Sequence, residues 1–259
     1  MFDKGSGPPL IVIPGVQGRW EWMQPALLKL ARQCRTISYS LAGDIRTKYA
    51  ADAEHVFDNY LRQVDAVFDR TGIQRSALCG VSYGGFVALR YAATRPERVS
   101  SLILVSAPAP GWQPSDQQSH YLARPWLSAP AFVVTSPLRV WPEISAAVRP
   151  WGSRLRFLLT HGVRIALAPM IPSAVASRVR AQQQLDFRAD CDLVRAPTLI
   201  VTGDEALDSV VPVEVTQQYR HLIPGARYEK MDHTGHIGML TQPERFANIV
   251  CSFVHANHH

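Results

Sequence analysis

The stretch Leu78-Cys79-Gly80-Val81-Ser82-Tyr83-Gly84-Gly85-Phe86 constrains this chain more than any other. The apolar run Ala77 to Cys79 predicts a buried strand. Phe86, Leu89 and Ala93, with Val87 and Tyr91 beside them, predict a helix directly after it. Between the two, Gly80, Ser82 and Gly84 fit G-x-S-x-G. A strand that turns at once into a helix leaves no room for side chains two residues either side of the apex. The apex residue is forced into a strained, exposed backbone conformation. A serine there offers its hydroxyl to solvent, and the free N–H groups of the helix N-terminus face any negative charge formed beside it. The pattern alone has a chance expectation on the order of 0.1 per chain of this length. Its specificity comes from the strand before it and the helix after it.

The surrounding sequence has the rhythm such a turn requires. Leu10-Ile11-Val12-Ile13 is a short apolar strand ended by Pro14-Gly15, and Met23, Ala26, Leu27, Leu30 and Ala31 follow with helical spacing. Arg35 to Tyr39 predicts a strand, and Ser40 to Asp44 a loop. A helix from about Asp52 to Arg70 carries Phe57, Leu61, Val64 and Phe68 on one face and stops at Thr71-Gly72. Val99 to Val105 is another buried strand, Thr198 to Thr202 a further one, Val213 to Leu222 a helix and Ala226 to Met231 a last strand. Thr241-Gln242-Pro243-Glu244 fits a capping box that opens a final helix with Phe246, Ile249, Val250 and Phe253 inward. Alternating strands and helices mean an α/β fold: a mostly parallel sheet covered by helices on both faces.

Between Ala107 and Cys191 the rhythm breaks. Residues 108–190 are rich in proline and tryptophan, and hold nine arginines against Asp116, Glu143, Asp186 and Asp190. That is +5 of the chain's net +6. The division is therefore a core of residues 1–107 and 191–259 with an inserted helical lid, or cap, at 108–190. No nucleic-acid motif accompanies the charge. The N-terminus lacks the apolar stretch of a signal peptide, and apolar runs stay near ten residues or fewer, so a cytoplasmic protein is expected. Cys34, Cys79, Cys191 and Cys251 are scattered singly, which argues for reduced thiols and against a zinc site.

The order of elements around Gly80-Val81-Ser82-Tyr83-Gly84 resembles the α/β-hydrolase family over roughly residues 10 to 107 and 191 to 255. Only nine residues precede the first strand, so the extra antiparallel strands that open many members are expected to be missing. The resemblance implies a serine nucleophile, then an acid, then a histidine base, in that chain order. Ser82 is the nucleophile. His236, following Gly235 after the last strand, matches the base; His233 in Asp232-His233-Thr234 is its rival. The acid belongs on the loop Gly203 to Pro212. There Asp208 is favoured because Pro212 follows it by four residues, with Asp204 as the alternative. The oxyanion hole would be formed by the backbone N–H groups of Tyr83 and Val16. The latter lies in Pro14-Gly15-Val16-Gln17-Gly18, where many relatives have His-Gly in place of Pro14-Gly15. Gln17 is a candidate substrate contact.

What this set implies is a hydrolase cleaving a small-molecule carboxylic ester, or another acyl substrate, through an acyl-enzyme, with no cofactor and no metal. The same triad serves lactone or thioester hydrolysis, C–C bond hydrolysis, acyl transfer and cofactor-free lyase or oxygenase chemistry, and a hydrolase scaffold can also serve as a ligand receptor. In the lid, arginines interrupt apolar runs such as Phe157-Leu158-Leu159 and Ile165-Ala166-Leu167-Ala168, and Pro169 and Pro172 break any helix. The bland reading packs these apolar residues on the core. The sharper one has Phe157, Leu158, Ile165 and Leu167 line an acyl pocket, with the arginines drawing in anionic substrates or a weak contact with an anionic membrane surface.

Overall fold

The computed structural model describes residues 1–44, 47, 49 and 55–258. Among these residues seven strands form one sheet: β1 (Phe2–Lys4), β2 (Pro9–Ile13), β3 (Arg35–Ser38), β4 (Ser76–Val81), β5 (Val99–Val105), β6 (Thr198–Thr202) and β7 (Arg227–Lys230). Their order is β1-β3-β2-β4-β5-β6-β7, and every pairing is parallel except β1 on β3. The opening antiparallel extension is therefore reduced rather than absent. Three residues, Phe2 to Lys4, pair with Ser38 to Thr36, and Phe2 buries its ring beside Trp20. That segment is too short for an alternation pattern to show in sequence.

The helices are α1 (Gln24–Leu30), α2 (Val56–Thr71), α3 (Gly84–Thr94), α4 (Asp116–Ala123), α5 (Pro125–Ala147), α6 (Trp151–Leu167), α7 (Pro172–Gln183), α8 (Arg188–Leu193), α9 (Val213–Gln217), α10 (Tyr219–Leu222), α11 (Gly238–Thr241) and α12 (Pro243–Ala256). Because strand side chains alternate between faces, the sheet divides its own apolar residues. Ile11, Ile13, Leu78, Leu102, Leu104 and Ile200 face the side covered by α2, α3 and α8. Leu10, Val12, Cys79, Ile103, Val105 and Val201 face the side covered by α1 and α12. The inner strands β4, β5 and β6 are consequently buried at every residue, the mark of a parallel sheet covered on both faces.

Several expected boundaries move. The proposed start of α2 at Asp52 lies outside the described residues; its end is as read, with Gly72 in the left-handed region at φ 69°. The helix expected over Val213 to Leu222 is two short helices that meet at Gln218. The capping box does not form: Gln242, not Thr241, is the N-cap of α12, and Pro243 takes the first helical position.

Helices α4 to α7 form the insertion between β5 and β6. Phe187 is buried against Phe86 at 4.6 Å between ring centroids, and Cys191 joins the same core, so α8 and the residue before it belong to the scaffold. Pro169 and Pro172 do separate α6 from α7. Cys34 and Cys251, far apart in sequence, bring their sulfurs to 3.4 Å as buried thiols.

Candidate active site

Strand β4 ends at Val81 and α3 begins at Gly84, so Ser82 is the apex of the turn. It takes φ 50°, a left-handed conformation that a side chain makes costly. Its own N–H still donates to Val105 O at 2.8 Å, holding the apex to the neighbouring strand end. Gly80 and Gly84 are demanded by close approach. A Cβ on Gly80 would lie 2.5 Å from Gly84 O, and one on Gly84 would lie 2.4 Å from Ile13 O. Tyr83 follows at the N-terminus of α3, where backbone N–H groups have no helical partner. Its ring is buried among Phe57, Tyr60 and Phe86.

The loop after β2 lies against this turn. A Cβ on Gly15 would sit 3.4 Å from Ser82 Cβ and 2.8 Å from Gln17 Oε1, so the Gly15-Val16-Gln17 segment is packed beside the serine. The loop is closed by Gly18 N–H donating to Gly15 O at 2.9 Å. It is also gripped from the insertion. Arg178 of α7, fully buried, donates through Nη1 to Val16 O at 2.8 Å and through Nη2 to Ala42 O at 3.0 Å and to the buried Asp44 carboxylate.

The loops after β6 and β7 bring two further residues together. His236 Nδ1 is 3.2 Å from Asp208 Oδ2, and Asp208 Oδ1 accepts from the N–H groups of Val210 and Val211, each at 3.0 Å. Burial opposes the charge on Asp208, but His236 and the two N–H donors outweigh it and hold the carboxyl below its ordinary range. Burial likewise opposes a charged His236, yet Asp208 and a more distant Glu143 raise its pKa above the usual imidazole value. Asp204 is elsewhere: it accepts from His233 N–H at 2.6 Å and pairs with Lys230 at 3.0 Å. His233 is exposed and in the left-handed region at φ 62°.

In the insertion, Phe157, Leu158 and Ile165 are half-buried, Phe157 against the core on the α1 and α12 side and stacked on His161 at 5.7 Å. Leu167 departs from the expected pocket lining, being 72% exposed: four helical residues on from Val163, it follows the outward stripe of α6. Among the described residues, no cluster of His, Cys, Asp and Glu suited to a metal ion occurs.

One buried group near His236 went unread in the sequence. Glu143 of α5 reaches into the histidine loop, where Oε2 accepts from Ile237 N–H at 3.0 Å and lies against Gly235; Thr241 Oγ1 is 3.4 Å from Oε1. It is 1% exposed, and burial pushes its carboxyl up to about 7. The signal was there: between 117 and 185 it is the only acid in a stretch of arginines.

The profile of the alpha/beta hydrolase family matches residues 10–249. The chain belongs to that family. Among curated relatives, a putative carbamate hydrolase RutD of Pseudomonas savastanoi pv. phaseolicola is 27% identical, covering 98% of this chain and 96% of its own. A 2-hydroxymuconate semialdehyde hydrolase of a Pseudomonas species (strain CF600) is 26% identical, covering 98% and 89%. Among solved structures, an esterase from Exiguobacterium antarcticum superposes with a TM-score of 0.78 at 22% identity, covering 98% and 94%. As a member of the alpha/beta hydrolases with hydrolase relatives along its whole length, the chain is an enzyme acting on a small-molecule substrate.

Proposed function

We propose that this enzyme cleaves carboxylic esters through an acyl-enzyme, with Ser82, His236 and Asp208 as its triad. The observation that carries the reading is the hydrogen bond between His236 Nδ1 and Asp208 Oδ2. It leaves Nε2 as the nitrogen available to the serine, and the two N–H donors on Asp208 Oδ1 fix the carboxylate that orients the ring.

In this mechanism His236 Nε2 takes the proton of Ser82 as Oγ attacks the carbonyl carbon. The oxyanion that forms is held by the N–H groups of Val16 and Tyr83, each contributing roughly 3–4 kcal/mol. His236 then gives its proton to the leaving alcohol, and the acyl-serine is hydrolysed by the same sequence with water as nucleophile. Support for Val16 comes from the packing of its loop against Ser82 and from the Arg178 bond to its carbonyl, which fixes the next peptide plane. Gln17 would contact the substrate near the same turn. The acyl chain is assigned to the inner side of α6, with Phe157, Leu158 and Ile165, so that α4 to α7 act as the lid. Relatives named for a carbamate and for 2-hydroxymuconate semialdehyde place those compound classes next in the substrate panel.

The test is labelling of the folded enzyme with a fluorophosphonate, followed by p-nitrophenyl esters of graded length. Labelling of the wild type but not of Ser82→Ala, with medium-chain esters turned over faster than acetate, is expected. A folded wild type that neither labels nor turns over any ester would sink the proposal.

A further inference from the structure

The outer surface of the insertion is unlike the rest of the molecule. On α6, Trp151, Leu155, Leu159, Val163 and Leu167 recur every fourth residue, and all are more than half exposed. On α5, Trp126, Leu127, Val134 and Leu138 are exposed by 65–77%. The two helices meet where Trp141 packs edge-on against Trp151 at 6.0 Å. Exposed arginines stand beside these side chains in the sequence: Arg124 precedes Trp126, Arg149 precedes Trp151, and Arg156 lies within α6 next to Leu155. No exposed carboxylate offsets them between 117 and 185. The single acid there, Glu143, is nine residues past Val134, two and a half helical turns, and so points the opposite way into the scaffold. A monomer in water rarely leaves so much contiguous apolar surface uncovered.

We propose that this outer face docks on an anionic lipid bilayer. Helix α6 lies along the headgroup layer, with Trp151, Leu155 and Leu159 entering the acyl boundary and Arg149 and Arg156 against lipid phosphates. The charge selects this occupant. A second copy of the chain, joined by a two-fold contact through the same face, would set arginine against arginine with no acid between them. An anionic bilayer supplies the apolar layer and the opposite charge at once. Among the described residues no single helix is long and apolar enough to cross a membrane. The 17 residues of α6 span about 25 Å. Helix α7 turns away from α6 by 89° and is anchored in the scaffold through buried Arg178, so α6 rests on the surface rather than entering it end-on.

The test uses the whole enzyme and vesicles of phosphatidylcholine, with and without phosphatidylglycerol, read by co-sedimentation and by the blue shift of tryptophan emission. Binding to the phosphatidylglycerol vesicles that falls with added salt is expected. Arg149→Gln should weaken it about fivefold and Arg149→Gln with Arg156→Gln about 25-fold, as each charge acts alone. Leu155→Gln with Leu159→Gln should weaken it about a hundredfold or more, since each buried leucine is worth at least a factor of ten. Unchanged melting curves for these surface variants establish that they fold. No binding, equal binding to both vesicle types, or full binding by the variants would overturn the proposal. So would a concentration-dependent dimer that the same substitutions disrupt, which would make this face a contact between copies.

Discussion

Glu143→Gln separates charge from shape at the point where α5 meets the histidine loop. The amide oxygen of glutamine can still accept from Ile237 N–H, but the side chain no longer titrates. In the folded enzyme burial raises the Glu143 carboxyl from an ordinary 4.5 to about 7. An acid whose folded pKa is raised binds its proton longer in the native state than in the unfolded chain. Stability therefore falls as pH climbs from about 4.5 to about 7, and is flat with respect to this group above that window. A gap of about 2.5 pH units at 1.36 kcal/mol each is a loss of about 3 kcal/mol. At 1% exposure solvent screening takes little from that figure. For a chain of this size it corresponds to roughly 6–12 °C in Tm. The pKa of His236 is also raised, so its contribution, present below the ordinary imidazole value of 6.5, is lost as pH climbs above that value, later than the Glu143 loss but in the same direction. The readout must therefore be the difference between the two proteins and not the slope of either. Urea melts of wild type and Glu143→Gln at about pH 5 and about pH 8.5 should show the variant gaining about 3 kcal/mol on the wild type at the higher pH. Parallel stability curves would refute the reasoning. The Glu143 charge also favours the imidazolium of His236, so the acid limb of kcat/KM should move to lower pH in the variant, and an unmoved limb would count against that coupling.

The acid assignment predicts that Asp208→Asn lowers kcat by several orders of magnitude, by analogy with the roughly 10⁴-fold loss at the corresponding serine-protease position. Asp204→Asn, which touches His233 and Lys230 instead, should stay within about tenfold; the reverse ranking in folded variants would move the acid to Asp204. Arg178→Met should destabilise the fold by roughly 3–5 kcal/mol, because it strands the buried Asp44 carboxylate. Arg178→Met combined with Asp44→Leu should recover most of that in denaturant melts, and equal loss in single and double variants would contradict a paired role.

The scaffold was legible because parallel strands buried on two faces read as continuous apolar runs, and Leu10 to Ile13, Leu102 to Val105 and Leu199 to Val201 are such runs. The serine turn was legible for a sharper reason. Close packing at Gly80 and Gly84 excludes a Cβ, so the chemistry leaves a fixed spacing of glycines in the sequence. The loops after β6 and β7 gave less. Asp204 and Asp208 lie four residues apart on one loop, and only the folded chain distinguishes the carboxylate facing His236 from the one facing Lys230. Leu167 was misread because periodicity says which residues share a helix face, not which face looks inward. Helix α5 was hidden by composition: Pro130, Pro137 and Pro142 lie inside a 23-residue helix, where local propensity forecasts breaks.

The two most buried charges of the insertion, Arg178 and Glu143, end on two loops, the one after β2 that packs beside Ser82 and the one that carries His236. Arg178 grips the Gly15-Val16 loop through the Val16 carbonyl, and Glu143 grips the His236 loop through the Ile237 amide. Each is a charged group taken out of water and satisfied chiefly by the backbone of a site loop or by the Asp44 carboxylate beside it. Such groups are strongly destabilising when their partner is lost. Movement of α5 or α7 away from the scaffold would therefore strand a buried charge unless the loop moved with it. Helices α5 and α7 are thereby tied to those two loops, whereas α6 meets the scaffold through the half-buried Phe157, the edge-on contact of His161 with Trp22, the Trp22 bond to Ala168 O and the Arg164 contact with Gln24. On the proposed docking, the outward stripe of α6 would meet the bilayer while Phe157 on its inner side keeps its packing on the scaffold.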